Sequence, residues 1–389
     1  MSSSSSSYVL SAKENETSFH YNRTSHPAEA RLCRELSRLY TPTEAKSHQI
    51  IQCLLTSSGM NAIHQVLTQV LLITARINVL YGSELYCDTP RLIRSLCPQG
   101  TGVRAIQMDV SDSKSILEVF ESDSCKKQVN VLFLESCSNP SGHIFDFRLI
   151  PQLRKLSKRL ILIVDNTWLS SAIFNPFEWG ADIIVNSLTK YYSGSSCIAG
   201  AILINNQRLR NRFSEKLVRF NKLAGLHVSV PYCEMILQQL PSLEQRLSVS
   251  WMKTKRLFEL ASEKALQHIR HPFLPNHPSH DLAQLFWKKH PSLLSPPIFA
   301  FEMNCPKELA LEKLDLMMEA ENKIDFKTSY GSKTSRFCSF PRPLLSSPNS
   351  SLCRLYIGFE EQDDLIKERA FIESYNAMHQ EEHDKTLES

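Results

Sequence analysis

The sequence predicts an α/β fold in which helices cover both faces of a mostly parallel sheet, followed by a smaller α+β domain. Between residues 129 and 204, short runs of consecutive apolar residues alternate with helical patterns. Strands that are apolar along their whole length are typical of parallel sheets that are buried on both faces. Beyond about residue 241, helical segments alternate with short strand-like runs, which indicates the second domain.

The individual elements follow from apolar periodicity and from glycine and proline breaks. Helices are predicted at residues 30–40, after Gly59, around Leu149, Leu153 and Leu156, and at residues 247–266 and 309–321. Strands are predicted at residues 131–134, 160–164, 183–185, 198–204, 297–303 and 352–357. Residues 1 to about 18 are serine-rich and lack apolar periodicity, which is typical of a disordered segment.

Composition and charge exclude several classes of function. The chain has 389 residues, of which 42% are hydrophobic, and this is enough for a folded protein of two or three domains. Its net charge of +4 is far from the strongly basic balance of a nucleic-acid-binding protein. A basic stretch from Arg208 to Lys222 contains regularly spaced apolar residues, so it is interpreted as the solvated face of an amphipathic helix.

The cysteines indicate a reducing compartment. All 11 are scattered and none forms a C-x-x-C pair, so the sequence predicts neither a disulfide framework nor a metal site. Free cysteines are typical of the cytoplasm, where we expect this protein to be located. No apolar run approaches the ~20 residues that a membrane span needs, and the N-terminus lacks a signal-peptide pattern.

A lysine and a carboxylate follow two neighbouring predicted strands. Lys190 comes shortly after the apolar run 183–185, and Asp165 directly follows the run 160–164. Ligands of parallel α/β sheets bind at the carboxyl ends of the strands, where both side chains are expected. A lysine amine can form a Schiff base with pyridoxal 5'-phosphate, and a carboxylate can keep the pyridine nitrogen of that cofactor protonated. The pair therefore predicts pyridoxal phosphate (PLP) as cofactor.

The motifs around this pair resemble the Cys/Met-metabolism family of PLP-dependent enzymes, which includes cystathionine γ-synthase and cystathionine γ-lyase. The matching segments begin at Glu135, Val164, Trp179 and Ser187 and have the order and spacing of the family's central block. The resemblance implies PLP-dependent transferase fold type I, with a seven-stranded, mostly parallel sheet in the large domain.

The resemblance also implies a division of the chain. It assigns residues 1–45 to a serine-rich start and an arm that contacts a neighbouring subunit, 46–240 to the PLP-binding large domain, 241–378 to the C-terminal α+β domain and 379–389 to a polar tail. The site is therefore expected at the end of the large sheet and to be shared between subunits.

Catalytic and cofactor-binding roles are carried over onto matching positions. Lys190 is expected to be the Schiff-base lysine and the base that moves protons, Asp165 the partner of the pyridine nitrogen, and Tyr86 the residue that stacks on the cofactor ring. Other positions implied to hold the cofactor are Gly59, Met60, Asn139, Ser187 and Thr189, together with Tyr21 and Arg23 from a neighbouring subunit.

Two residues near the C-terminal end are implied to bind substrate. Arg354 matches the family arginine that binds the substrate α-carboxylate, for which a guanidinium fork is well suited. Ser329 lies in a segment that resembles the family's S-L-G turn. Since Tyr21 and Arg23 are expected to reach a neighbouring site, the resemblance implies a homodimer or homotetramer.

The chain departs from the family pattern at several positions. The segment after the lysine reads Gly194-Ser195-Ser196-Cys197, where the family usually has G-H-S-D, and Thr334 replaces a glutamate linked to substrate choice. The cysteine of methionine γ-lyase would fall at Asp88, with Cys87 one position earlier. These departures leave the cofactor site intact but reduce the information about substrate.

The function implied by the resemblance is γ-replacement or γ-elimination on an amino-acid substrate, either activated homoserine or cystathionine. Two alternatives stay open. The first is β- or γ-elimination of the cystathionine β-lyase or methionine γ-lyase type. The second is a family-shaped protein that has lost catalysis and serves as a binding or regulatory subunit.

Overall fold

The computed structural model describes residues 21, 25–42, 51–73, 76–205, 209, 211–288, 294–319, 322–344, 347–360 and 365–387. Two β-sheets organise this part of the chain, one of seven strands and one of six. Most residues of the expected serine-rich start and arm lie outside the described residues. The domain boundaries inferred from the sequence remain predictions.

The large sheet consists of seven strands. They are β1 (Ile51–Thr56), β2 (Ile77–Gly82), β3 (Val103–Met108), β4 (Val129–Glu135), β5 (Leu160–Asp165), β6 (Ile183–Ser187) and β7 (Gly200–Asn205). Their order across the sheet is β1-β7-β6-β5-β4-β2-β3. Strand β7 runs antiparallel to both neighbours, and the other pairs are parallel. The predicted mostly parallel α/β fold is confirmed.

The helices pack mainly around the two sheets. They are α1 (Pro27–Tyr40), α2 (Gly59–Leu71), α3 (Asp88–Leu96), α4 (Ser113–Glu121), α5 (Asp123–Lys127), α6 (Ile150–Leu156), α7 (Ser170–Ile173), α8 (Asn211–Ala224), α9 (Val230–Gln239), α10 (Leu243–Leu260), α11 (Glu263–Gln267), α12 (His280–Phe286), α13 (Lys307–Leu316) and α14 (Ile366–Leu387). The predicted helix 247–266 is divided between α10 and α11, because Ser262 caps a new helix by accepting a hydrogen bond from the Ala265 amide.

The smaller sheet is mixed. Its strands are β8 (Ile269–Arg270), β9 (Ile298–Met303), β10 (Asp325–Phe326), β11 (Arg336–Phe337), β12 (Arg342–Leu344) and β13 (Ser347–Tyr356). The order is β10-β11-β13-β9-β8, and β12 also pairs with β13. Strand β13 therefore lies at the centre, and it carries Arg354 near its carboxyl end.

The core has one layer on each face of the large sheet. Along β4, Val131 and Phe133 belong to one hydrophobic cluster, whereas Leu132 and Leu134 belong to the other. Successive strand residues point to opposite faces, so an uninterrupted apolar strand serves both layers. This is why the run of apolar residues predicted a strand buried on both sides.

The described residues were searched for membrane-spanning helices and for metal sites. Within them, no helix is long and apolar enough to cross a membrane. The same part of the chain contains no group of three or more histidine, cysteine or acidic side chains that is arranged to hold a metal ion.

Candidate active site

Lys190 and Asp165 meet at the carboxyl edge of the large sheet. Asp165 is the last residue of β5 and lies opposite Val185 of β6, and Lys190 is the third residue after the end of β6. The Nζ atom of Lys190 donates a hydrogen bond to Oγ of Ser329, at 3.2 Å. The structure thus brings the predicted lysine, carboxylate and substrate-binding serine to one place.

The environment of Lys190 lowers the pKa of its amine. Burial has the largest effect, followed by the positive charges of Arg354 and Arg336, and together they lower the pKa of Lys190 to about 8. Asp165 opposes this shift through its negative charge. An amine with a pKa near neutrality is both a better nucleophile and a better base at physiological pH than an ordinary lysine.

Asp165 is one of two adjacent carboxyl groups, and it is buried whereas Glu135 is partly buried. It is 8% exposed, accepts a hydrogen bond from the Thr167 amide, and lies opposite Glu135 in the register of β4 and β5. Burial raises the pKa of Asp165, and burial together with the charge of Asp165 raises the pKa of Glu135. A cation placed beside these carboxyl groups would relieve this cost, as the protonated pyridine nitrogen of PLP does.

Sequence reasoning gave Glu135 no role, although it begins one of the recognised motifs. Its carboxylate accepts a hydrogen bond from the backbone amide of Tyr86. Glu135 therefore connects the strand beside Asp165 to the segment that presents Tyr86. Both β4 and β5 end in an acidic residue. The pairing of Glu135 with Asp165 could therefore have been predicted from the expectation that these two parallel strands are neighbours.

The start of α2 forms a cradle for an anion. Ser58 caps the helix by accepting a hydrogen bond from the Asn61 amide at 3.1 Å. The backbone of Gly59 is so close to Ser187 that a Cβ atom at Gly59 would lie 2.8 Å from the Ser187 Cβ. Helix N-termini attract anions through their free amides and dipole. Gly59, Met60 and Ser187 therefore occupy positions suited to a phosphate group.

The Thr189 hydroxyl makes structural hydrogen bonds to the backbone of Ala199, and its contact with the cofactor remains a prediction. Its hydroxyl oxygen accepts a hydrogen bond from the Ala199 amide at 3.1 Å. The Ser187 amide donates to the Thr167 hydroxyl at 2.8 Å, which orients the end of β6. Hydroxyls, helix amides, a lysine and a buried carboxylate match the phosphate, aldehyde and pyridine nitrogen of PLP. The described residues therefore fit the cofactor.

Arg354 is buried beside Lys190 and firmly held. It is 7% exposed and donates hydrogen bonds to Oδ1 of Asn139 at 2.9 Å and to the Thr328 carbonyl at 2.7 Å. Its guanidinium also lies 5.6 Å from the ring centres of both Trp168 and Tyr330. Asn139 thus supports the expected carboxylate-binding arginine. The expected contact of Asn139 with the cofactor remains a prediction.

Tyr86 is half-buried at the edge of the same site. Burial, followed by the neighbouring Cys87 and Asp88 charges, raises the pKa of Tyr86, and the nearby charge of Arg354 opposes this shift. Tyr81, the competing tyrosine, lies within β2 and is 3% exposed. Tyr86 is thus close enough to Arg354 for the guanidinium charge to affect its pKa, whereas Tyr81 belongs to the sheet core. The stacking of Tyr86 on the cofactor ring remains a prediction.

The arm is only partly described. Tyr21 is 56% exposed, whereas Arg23 lies outside the described residues. The contribution of both residues to a neighbouring subunit's site remains a prediction.

The departures from the family pattern are accommodated by local contacts. The Ser195 hydroxyl donates a hydrogen bond to the Tyr330 carbonyl at 2.8 Å, which ties the segment after the lysine to the turn that contains Ser329. Cys197 is buried, and the Thr334 carbonyl accepts a hydrogen bond from the Ser332 hydroxyl. These residues stabilise the loops around Lys190.

Tyr330 is a site residue that the sequence reasoning missed. Its ring centre lies 5.2 Å from Nζ of Lys190 and 5.8 Å from the ring centre of Trp168. The aromatic pair forms a wall beside the amine and the guanidinium. Tyr330 lies in the turn that resembles the family's S-L-G turn. Its position next to Ser329 in the sequence could therefore have identified it as a site residue.

The fold and the family match together define a PLP-dependent enzyme of fold type I, and Lys190 lies at the carboxyl edge of its mostly parallel sheet. The family model described as Cys/Met metabolism PLP-dependent enzyme matches residues 2–371. The chain belongs to this family, and the family's cofactor is PLP.

Similar proteins divide among several reactions. Cystathionine β-lyase of Neurospora crassa is 26% identical over 384 residues, which cover 95% of this chain and 77% of the relative. L-methionine γ-lyase of Fusobacterium nucleatum subsp. polymorphum is 26% identical over 327 residues, covering 80% of this chain and 77% of the relative. A crystal structure of cystathionine γ-synthase from Xanthomonas oryzae pv. oryzae in complex with cystathionine has a TM-score of 0.74 and 25% identity, and the match covers 95% and 92% of the two chains.

Proposed function

We propose that this enzyme catalyses γ-elimination or γ-replacement on cystathionine or an activated homoserine. The observation that carries the proposal is the position of Lys190, whose Nζ atom lies 3.2 Å from the Ser329 hydroxyl, while burial and then the Arg354 charge lower the lysine pKa. A base and a carboxylate-binding guanidinium are therefore close together, as proton removal next to a carboxylate requires.

The residues divide the work of such a reaction. When bound, PLP supplies an electron sink for the bonds at the substrate Cα atom. Arg354 would hold the α-carboxylate, and Lys190 would take the Cα proton. Lys190 would then pass that proton on and, neutral again, take a Cβ proton, and the electron pair left at Cβ would expel the γ substituent. Tyr330 and Trp168 exclude water on one side of the amine, since their rings lie against Lys190 and Arg354.

A β-elimination is the second candidate, and the β-lyase relatives favour it. It requires only the first proton transfer, from Cα to Lys190, before the β substituent leaves. The reaction of L-cystathionine separates the two candidates by product. The γ route gives 2-oxobutanoate, cysteine and ammonia, whereas the β route gives pyruvate, homocysteine and ammonia.

The test is an incubation of the PLP-loaded enzyme with L-cystathionine and, separately, with O-acetyl- or O-succinylhomoserine plus cysteine. Formation of 2-oxobutanoate, or of cystathionine from the ester, supports the γ proposal. Pyruvate as the sole oxo acid replaces it with β-elimination, and no reaction with any of these substrates contradicts both. The Lys190→Ala variant is the control for non-enzymatic release.

We further propose that the active sites are shared in a homodimer or homotetramer, with Tyr21 and Arg23 reaching a neighbouring subunit. Arg23→Ala and Lys190→Ala subunits, each of low activity alone, are unfolded together and refolded as mixed oligomers. Shared sites then regenerate one intact site in each mixed pair, so activity recovers towards about a quarter of the wild-type value. Recovery fails if Arg23 serves the site of its own chain.

A further inference from the structure

A second arginine points towards the active site from the smaller sheet. Arg336 of β11 lies opposite Tyr356 of β13 in an antiparallel pair. The next residue, Phe337, is 1% exposed, and its ring packs 5.2 Å from that of Phe371 in the core. Successive strand residues point to opposite faces, and directly opposed residues share a face. Arg336 therefore lies on the face that carries Tyr356 and, two residues earlier, Arg354.

This face of the smaller sheet is the one that meets Lys190. The ring centre of Tyr356 lies 6.5 Å from that of Tyr191, the residue after the lysine, and 6.3 Å from that of Tyr330. Burial has the largest effect on the pKa of Lys190, but the charges of Arg354 and then Arg336 lower it further. The guanidinium of Arg336 is thus close enough for the reacting amine to be affected by its charge.

The Arg336 guanidinium lacks a hydrogen bond at its buried end. Its Nε atom is buried and has no hydrogen-bond partner in the part of the chain that the structure describes. Arg354, by contrast, uses one Nη atom on Asn139 and the other on Thr328. An unpaired buried donor is costly, and a guanidinium is especially suited to a carboxylate. The Nε–H group of Arg336 is therefore left without an acceptor, which a carboxylate could supply.

We infer that Arg336 recognises a second carboxylate, at the distal end of the substrate side chain. The inference rests on the proposed function, because Arg354 is assigned there to the α-carboxylate. It selects substrates whose leaving group carries an acid, such as the second amino-acid end of cystathionine or the succinyl group of an esterified homoserine. A neutral side chain, such as that of methionine, leaves Arg336 without a partner.

The first experiment measures binding without turnover. The PLP-loaded enzyme is titrated by calorimetry with two ligands, the α-methyl derivatives of S-(2-carboxyethyl)- and S-(2-carbamoylethyl)-L-homocysteine. They differ only in a terminal acid or amide, and they lack the Cα proton that Lys190 would remove. We expect the wild-type enzyme to bind the acid at least about tenfold more tightly than the amide.

The variants decide whether Arg336 causes this preference. Arg336→Leu should bind both ligands equally, Arg336→Lys should keep part of the preference, and Arg256→Leu, which removes an exposed arginine on α10, should keep all of it. No acid preference in the wild type, or an unchanged preference in Arg336→Leu, overturns the inference. If Arg336→Lys keeps part of the acid preference, then the loss of that preference in Arg336→Leu reflects lost recognition of the acid and not a general loss of folding.

The second experiment separates this inference from the proposed function. The unmethylated acid and amide conjugates of both cysteine and homocysteine are assayed for oxo-acid release. Preferential binding of the acid ligand, with no release from either homocysteine conjugate and no cystathionine formed from the homoserine esters, would contradict the proposed function but support the role of Arg336. Release of 2-oxobutanoate from both homocysteine conjugates with equal kcat/KM would support the proposed function and contradict the role of Arg336.

Discussion

Nζ of Lys190 donates a hydrogen bond to Oγ of Ser329 at 3.2 Å, and this bond joins the edge of the large sheet to the turn that precedes β11. The contact is reinforced by Gly331, whose backbone approaches the lysine so closely that a Cβ atom there would lie 2.5 Å from the Lys190 carbonyl carbon. The Lys190 amine is thus oriented by the part of the chain that also carries Arg354.

Replacing Ser329 with alanine should lower kcat by about 10- to 140-fold. A hydrogen bond to a charged group contributes about 1.5–3 kcal/mol, and each 1.4 kcal/mol corresponds to a factor of ten. Cofactor content, measured by absorbance, should be unchanged because the phosphate cradle lies at α2. The exposed Ser95→Ala is the matched control. An unchanged kcat would mean that the serine does not orient the lysine.

The Glu135 and Asp165 pair should make the stability of the cofactor-free protein depend on pH. Both folded-state pKa values are raised by burial, so the folded protein binds more protons than the unfolded chain at pH values above about 4. Stability from these groups is complete below their unfolded pKa values and is lost as pH rises through the folded ones. Burial lowers the pKa of Lys190, an effect of opposite sign that begins only near pH 8.

Thermal unfolding between pH 5 and pH 8 tests this account. The Tm of the cofactor-free protein should fall over this range, and Glu135→Gln should flatten the fall, because glutamine can still accept the Tyr86 amide hydrogen bond without titrating. Glu121→Gln, at an exposed position, should retain the wild-type slope. Equal slopes in all three proteins would refute a buried titrating pair.

Replacing Arg354 with alanine should raise KM by about 30- to 4000-fold, with a smaller effect on kcat. Truncating one partner of a buried, hydrogen-bonded charge pair costs about 2–5 kcal/mol. Arg354→Lys should be intermediate, since an ammonium group cannot reproduce the two-pronged contact. Initial rates at varied substrate concentration give both constants, and Arg159→Ala controls for the loss of an exposed arginine. A wild-type KM would exclude Arg354 as the carboxylate anchor.

Replacing Gly59 with alanine should weaken PLP binding by about tenfold or more. The new Cβ atom would lie 2.8 Å from the Ser187 Cβ, so the start of α2 would have to move away from β6 and widen the phosphate cradle. Affinity is measured by titrating the cofactor-free protein with PLP. Gly100→Asn, in open space and at a positive φ that asparagine tolerates, is the control. Unaltered PLP affinity would place the phosphate elsewhere.

The sequence predicted which side chains meet at the edge of the large sheet better than it predicted how many strands the sheet has. Lys190 and Asp165 follow uninterrupted apolar strands, so their meeting at one edge follows from the parallel arrangement. Strand β2 was missed because it contains a buried Asn78, whose amide donates a hydrogen bond to the Asn130 side chain at 2.8 Å. A polar residue satisfied by a distant partner interrupts the apolar pattern without exposing the strand.

The contribution of the smaller sheet could be predicted only through the family resemblance. Arg354 and Ser329 reach Lys190 because residues that are far apart in sequence pair with each other. Local periodicity predicts individual elements but not which of them pair. Glu135 and Arg336 were missed for a related reason, since their roles depend on which residue lies opposite them in a neighbouring strand.

The central claim is that Lys190 is the residue to which PLP is attached. The most direct test is the visible absorbance of the purified, PLP-loaded protein before and after borohydride reduction, followed by peptide mapping of the reduced adduct. We predict a visible band that borohydride abolishes, with the cofactor on the peptide that contains Lys190, and neither band nor adduct in Lys190→Ala, whereas the exposed Lys158→Ala retains both. An adduct on another lysine, or a colourless protein that takes up no PLP, would contradict the claim.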